Sequence, residues 1–456
     1  MKLRHWLHVW GIAFGLFGLA AWSLPTAQGA PDPAVERANY SLATGRAQTM
    51  TVTSTIYMPL VKAYRPPPVQ FSADFGPILI TEPTILQNDF PLVQTLGARW
   101  VRVWLPWEKI ETQPGLYDWS EYDPIFARLD ELAMKPLPVI YSAPAWAAPE
   151  SCGPLTDTAA LENFLEAVNQ RYGAAIEAWE FINEPDAREP YRPFGPVIGC
   201  WGLQPDQYAT QLGVFYRKVK MIDPGALVLY GGLAYDNWDI FERPFFENTL
   251  RSGAGPFFDI LSLHYYPINP QDFPSITDKI SEVQEIMSRQ GLPPRPIWIT
   301  ETSMWVNGPE GAEAQYSFIT EELTRAYCSG ADNLFWFAIS HEPGEPPLHR
   351  WLIDRDHQPD NGYDTMRHYV ARLQGTTCAG RYGDVPGGVE AYRFEAPDRS
   401  VYVIWSNKSA KNVTLPADNE ATLWNRDGTS ATILSRQNGQ VSFAVEDKAV
   451  FVEIVK

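Results

Sequence analysis

From about residue 69 to about residue 378 the chain alternates between short apolar runs and amphipathic segments, and this alternation limits the possible folds more than any other feature. The runs are Val69–Phe75, Ala98–Leu105, Leu137–Tyr141, Trp179–Ile182, Ala226–Gly231, Phe258–Tyr265, Pro296–Thr300 and Asn333–Ile339. Between them, apolar residues recur at helical spacing: Leu161, Phe164, Leu165 and Val168; Leu212, Phe215, Val219 and Ile222; Ile276, Ile280, Val283 and Met287. Apolar strands alternating with helices read as parallel βα units buried on both faces, and eight units favour closure into a barrel over an open sheet. The sequence thus predicts an α/β fold, a (β/α)8 TIM barrel over residues 69–378. After Gly380 the helical period stops. Short β-type runs at Val389–Phe394, Ser400–Ser406, Asn412–Leu415, Ala421–Asn425, Ser430–Ser435 and Val441–Val455 predict a small C-terminal β-sandwich over 380–456. Its expected role is to pack on the barrel, with carbohydrate binding as the alternative.

The N-terminal 29 residues combine a basic start (Lys2, Arg4) with an apolar stretch from Trp6 to Leu24 and a run of small residues, the pattern of a cleaved bacterial-type export signal. An uncleaved membrane anchor is the alternative, because the stretch approaches bilayer length. Residues 30–68, ending in Arg65-Pro66-Pro67-Pro68, read as a polar, disordered linker with at most a short strand at 55–61. The expectation is therefore a secreted protein with no stable membrane insertion once the signal is removed. Four cysteines, Cys152, Cys200, Cys328 and Cys378, suit two disulfides; three pairings are open, and 152 with 200 and 328 with 378 are the most local. Net charge is −18, and removing Lys2 and Arg4 with the signal makes it −20, which disfavours nucleic acid and anionic lipid as partners. Seventeen Trp suit a large core and sugar-stacking surfaces alike.

The chemistry is concentrated where two of these runs end. Trp179-Glu180-Phe181-Ile182-Asn183-Glu184-Pro185-Asp186 is an apolar strand stopped by proline, which should leave Glu184 extended at the strand's exit from the sheet. The seventh run, Ile297-Trp298-Ile299-Thr300-Glu301, also ends in a glutamate, 117 residues later. Strands four and seven face each other across a barrel mouth, so the two carboxylates can converge. Glycosidic bond cleavage needs such a pair, one group to protonate the leaving oxygen and one to attack or stabilise the sugar cation. No Gly-x-Ser-x-Gly elbow, phosphate loop, dinucleotide fingerprint or His-Glu-x-x-His occurs. The acidic residues Glu310, Glu313, Glu321 and Glu322 read as a solvated helix face.

On these motifs, the stretch from roughly Phe71 to Ile339 resembles the clan A retaining glycoside hydrolases, most closely families 39 and 5. The resemblance implies that Glu184, in Asn183-Glu184-Pro185, is the acid/base, that Asn183 bonds the sugar 2-hydroxyl, and that Glu301 is the nucleophile. It implies supporting roles for Arg102 beside the nucleophile, for His264 and Tyr266 of His264-Tyr265-Tyr266, and for Trp336 as the floor of the first sugar subsite. The third strand ends Tyr141-Ser-Ala-Pro-Ala-Trp146 without the histidine usual in family 5, so Trp146 is expected to line the site in its place. The implied activity is retaining hydrolysis of a carbohydrate with no metal or organic cofactor. An idle barrel that binds glycans without cleaving them is the alternative.

Overall fold

The computed structural model describes residues 68–190, 197–236, 239–267, 275–341, 348–360, 362–407 and 409–456, except for the side chains of 348 and 349. The expected signal and nearly all of the linker lie outside the described residues. Among the described residues no helix is long and apolar enough to cross a membrane.

Eight parallel strands form one sheet: β1 (Gln70–Asp74), β2 (Trp100–Pro106), β3 (Lys135–Tyr141), β4 (Ala178–Phe181), β5 (Leu227–Leu229), β6 (Leu261–Tyr265), β7 (Ile297–Thr302) and β8 (Ala331–Phe337). The order is β5-β4-β3-β2-β1-β8-β7-β6, and single parallel bridges Leu229↔Ile260 and Leu233↔Leu263 close the β5–β6 seam into a barrel. Each strand alternates between the lumen and the surrounding helices, so near-continuous apolar sequence becomes two buried faces. The lumen is layered. Its base is an apolar plug of Trp100, Leu137, Ala178, Leu229, Ile260, Trp298 and Phe335. Above it lies a polar layer containing Ser72, Arg102, Glu180, Ser262 and Thr300, every one at 0% exposure.

The helices expected from periodicity are present as Thr158–Tyr172, Pro205–Ile222 and Ile276–Arg289, and helix Tyr363–Leu373 follows β8. Asp157 and Ser275 cap two of them by accepting from backbone N–H groups of the first turn. A seven-residue helix, Phe245–Arg251, was not anticipated, being too short to show a period. Helix Gly308–Ser317 runs through a π-turn at Phe318–Glu322 into helix Leu323–Ser329. The expected solvated face is present only in part: Glu310 and Glu313 are exposed, Glu321 is half-buried and Glu322 is buried. Glu322 accepts from the Ile276 amide and binds Arg325, while Glu313 binds Arg426 of the C-terminal region. Sequence spacing showed the charges but not their partners.

The C-terminal region is a six-stranded antiparallel sheet faced by a two-stranded one, the expected β-sandwich. Strands 399–406 and 450–455 of the large sheet are its centre. Val401, Val403, Trp405 and Phe451 join the main core with the barrel's helices, whereas Tyr402, Ile404, Val452 and Ile454 face Val413, Leu415, Val441 and Phe443 of the small sheet. Period-two alternation thus serves two cores at once. Strand Thr377–Arg381 pairs with 389–395 and straddles the expected boundary at Gly380. The expected run 441–455 is two strands with a turn between them. The disulfides are Cys152–Cys200 and Cys328–Cys378, the two most local pairings, each with Cα atoms 5.3 Å apart.

Phe451 is wholly buried against Tyr369 and His368 of the last barrel helix. Phe451→Ala should lower unfolding free energy by about 3–5 kcal/mol in urea titration, through lost transfer energy and a cavity.

Candidate active site

Arg102 projects from β2 into the polar layer with no solvent exposure, and all five of its N–H donors are engaged. Nε and Nη2 hold the two oxygens of Glu180 at 2.8 and 3.1 Å, and Nη2 also reaches Asn183 Oδ1 at 2.8 Å. Nη1 donates to Asp74 at 3.2 Å and to Glu301 at 2.6 Å. The cation also lies 4.5 Å from the centre of the Trp104 ring. One guanidinium thereby ties β1, β2, β4 and β7 together, and three carboxylates surround it.

Glu301 reaches the lumen through an irregularity. Strict alternation from Trp298 and Thr300 would turn it towards the helices. The β6–β7 register instead slips, pairing Leu263 with Ile299 and the next residue, His264, with Glu301. Such a bulge re-aims a side chain at the cost of local pairing. Tyr266 then donates to Glu301 Oε2 at 2.7 Å. Glu184 also departs from expectation. It is not extended as a residue before proline prefers to be, but has φ +44°, two residues after Ile182 at φ +67°. These left-handed residues let both Asn183 and Glu184 face the mouth, where alternation would admit only one of them. Positive φ at a β-branched residue costs of order 1–3 kcal/mol and persists only where the surroundings enforce it. Here the enforcing contacts include the Glu184 amide to Gly232 O and the Gly199 amide to Asn183 O, both at 2.8 Å.

His264, on β6 and 1% exposed, stands between the glutamates. Its Nδ1 lies 3.1 Å from Glu184 Oε1 and 3.5 Å from Glu301 Oε2. Burial, aided by the charges of Arg102 and Lys279, holds this imidazole well below its usual range and therefore neutral. The close approach depends on Gly232, where a Cβ would fall 2.3 Å from His264 Nε2. One atom from each of Glu184, His264 and Glu301 lies within 4.8 Å of the other two. That spacing would admit a cation, and Glu301 already accepts from the Arg102 guanidinium.

The two glutamates differ electrostatically. Burial raises Glu184 well above the usual carboxylate range, and the charges of Glu301, Asp186 and Asp236 push in the same direction. Burial also pushes Glu301 up, to about 7, but Arg102 and the Tyr266 hydroxyl pull it back. Glu301 is therefore the first of the pair to ionise, and Glu184 holds its proton longer. Asp186, 1% exposed, accepts from the Ala234 and Tyr235 amides, and burial lifts its carboxyl to about 6.

Of the residues expected at the site, Arg102, Asn183, Glu184, His264, Tyr266 and Glu301 are brought together. Trp336 is not among them. It pairs with Ala73, faces Phe318 in the helix layer, is 1% exposed and donates to Arg350 O, so it cannot floor a sugar subsite. The neighbouring Phe337 pairs with Asp74, shares the lumen face, is half-buried beside Trp104 and Tyr141, and has the Arg350 guanidinium 4.5 Å from its ring. The expectation was one residue out of phase, which on a strand reverses the face. Trp146 meets Trp107 edge-on, and the Trp107–Phe164 stack continues into the helix layer, so Trp146 covers core. Trp305 is half-buried against Arg350. Sequence reading missed Asp74, Glu180 and Phe337; the in-phase spacing of Glu180 with Ala178 was the available sign.

Arg102→Met would leave Asp74, Glu180 and Glu301 buried around no cation. The expected loss is about 3–5 kcal/mol of unfolding free energy. It should be larger at about pH 8 than at about pH 5, because carboxyls whose folded-state pKa is raised lose stability as pH rises through that value. Urea midpoints at the two pH values test this.

Residues 152–343 match the profile of the glycosyl hydrolase catalytic core. A search of curated proteins returns no match. Among solved structures, the chain is similar to a family 39 glycoside hydrolase from the gut symbiont Bacteroides cellulosilyticus WH2 at 19% identity and TM-score 0.65, over 86% of this chain and 81% of that one. It is similar to a monomeric β-xylosidase from Caulobacter crescentus CB15 at 16% identity and TM-score 0.60, over 85% and 97% of the two chains. A GH30 endoxylanase from Clostridium papyrosolvens C71 aligns at 12% identity and TM-score 0.60, over 85% and 96%. At these identities the solved structures speak for the fold alone, a (β/α)8 barrel, while the matched stretch 152–343 contains Asn183, Glu184, His264, Tyr266 and Glu301.

Proposed function

We propose that the protein is an exported retaining glycosidase that cleaves β-linked poly- or oligosaccharides by double displacement, with Glu301 as nucleophile and Glu184 as acid/base. The observation that carries this reading is the spacing of the pair. One oxygen of each carboxyl lies within 4.8 Å of one oxygen of the other, which favours the closely set pair of retaining enzymes, roughly 5–5.5 Å apart, over the wider pair of inverting ones.

In the first step Glu301, ionised beside Arg102 and Tyr266, attacks the anomeric carbon. Glu184 gives its proton to the departing glycosidic oxygen, leaving a glycosyl ester on Glu301. Esterification removes the negative charge that helped to keep Glu184 protonated, so the Glu184 pKa falls and its carboxylate can deprotonate the incoming water. Attack by that water at the anomeric carbon releases the sugar with its configuration retained and restores both groups. Neutral His264 keeps the carboxyls apart without adding a charge that would draw the proton from Glu184. Asn183 offers its amide to the 2-hydroxyl, and Phe337 offers a half-buried ring for sugar stacking.

Glu301→Gln should reduce kcat on aryl β-glycosides by about 10⁴-fold or more. Glu184→Gln should reduce it by about 10²- to 10⁴-fold on substrates needing protonation, with azide restoring turnover of activated aryl glycosides as the β-glycosyl azide. Wild-type activity should be bell-shaped in pH, rising as Glu301 ionises and falling as Glu184 deprotonates. Glu184→Gln should lack the falling limb. Unchanged hydrolysis by Glu301→Gln would overturn the assignment.

Export is supported by the N-terminal pattern and by two disulfides, which persist in oxidising compartments. Cell fractionation should find the full-length protein outside the cytoplasm and a version lacking residues 1–29 inside it; cytoplasmic full-length protein would contradict export.

A further inference from the structure

The Asn183 amide is fixed from both ends. Its Oδ1 accepts from Arg102 at 2.8 Å, and its Nδ2 donates to the Val197 carbonyl at 3.1 Å. An amide nitrogen carries two hydrogens, so with one on Val197 the other is directed at a fixed angle. Arg102 is immovable in the barrel lumen. Val197 is not part of the barrel, and what holds it decides how firmly Asn183 is aimed.

Val197 begins a segment that runs back along the end of β4. The amides of Gly199, Trp201 and Gly202 donate to the carbonyls of Asn183, Pro185 and Ala187 at 2.8, 3.1 and 2.7 Å. The approach is so close that a Cβ at Gly199 would lie 2.9 Å from Pro185 Cα and 3.1 Å from Asn183 O. These bonds tie the segment to its own strand end, and the Val197 side chain packs against the Trp104, Val139 and Tyr141 cluster of β2 and β3. The tie to a different strand's loop is made at Cys200, whose amide donates to Cys152 O at 3.0 Å and whose sulfur is bonded to Cys152 in the loop after β3. The other disulfide, Cys328–Cys378, spans a nearly equal 50 residues against 48, but joins the helix 323–329 to strand 377–381. Chain-entropy arguments assign equal stabilisation to loops of equal length, so what differs between the bridges is what each one positions.

We propose that the Cys152–Cys200 disulfide is a positioning element of the active site: it holds the Val197 carbonyl on Asn183 and so aims the Asn183 N–H at the sugar 2-hydroxyl. The proposal rests on the reading of Asn183 given above. Cys152 and Cys200 touch no substrate and act through Val197 and Asn183.

The test compares Cys152→Ser/Cys200→Ser, Cys328→Ser/Cys378→Ser and Asn183→Ala on the 4-nitrophenyl β-glycoside that wild type turns over fastest and on its 2-deoxy counterpart. The 152/200 variant should lose about tenfold in kcat on the 2-hydroxy substrate, the worth of one hydrogen bond, and little on the 2-deoxy substrate. The 328/378 variant should lose comparable thermal stability and leave kcat on both substrates unchanged. Equal losses on both substrates, or none, in the 152/200 variant while Asn183→Ala discriminates between them would overturn the proposal. Failure of Asn183→Ala to discriminate would overturn the Asn183 reading itself and the proposal with it. Should the double serine variant not fold, wild type reduced with dithiothreitol serves in its place. Amide hydrogen exchange at Gly199 and Trp201 should then accelerate together with the selective loss of activity, and unchanged exchange would count against the proposal.

Discussion

A single guanidinium buried in the barrel lumen organises everything above it. Arg102 has five N–H groups and uses them on Asp74, Glu180, Asn183 and Glu301, residues of three other strands or strand ends. Three carboxyls share one positive charge in a space without solvent, so they cannot all ionise cheaply. Burial accordingly raises both Asp74 and Glu301, with Arg102 pulling each back. The same unequal sharing makes the two site glutamates chemically different. Glu301 sits on the cation, whereas Glu184 faces the neutral His264, so one is prepared to be an anion and the other an acid.

Reaching that arrangement required departures from regular strand geometry at both glutamates. A bulge on β7 turns Glu301 inward, and left-handed residues at 182 and 184 turn Asn183 and Glu184 to the same side. Such backbone is unfavourable locally and is held by its surroundings: the bonds from 184 to 232 and from 199 to 183, and beyond them the Cys152–Cys200 bridge. Local strain at the strand ends, a rigid polar layer below and a stapled loop above form one mechanical unit. The apolar plug at the base of the lumen isolates this unit from the far end of the barrel. The β-sandwich shares the main core through Phe451 and Trp405 and packs on the last barrel helix.

Much of this was legible in the order of residues. Eight apolar runs spaced by amphipathic helices already specified a barrel, because each run can be buried only if covered on both faces, and the loss of helical period after Gly380 already specified a β domain. The pairing of Glu184 with Glu301 followed from the strands they end. Charge partners were not legible: Glu322 looked solvated and Glu313 unpaired because the Ile276 amide and Arg426 are far away in sequence. Nor was strand phase, since Trp336 and Phe337 are equally apolar neighbours and only pairing with Ala73 and Asp74 decides which faces the lumen.

By itself, then, the sequence determined the architecture and the identity of the two catalytic candidates, since periodicity and strand-end position are local properties of the chain. Tertiary structure alone decided which glutamate keeps its proton, which aromatic side chain lines the mouth and what aims Asn183. Each of these depends on contacts between residues tens to hundreds of positions apart, through burial, a bulge and a disulfide that no local pattern records.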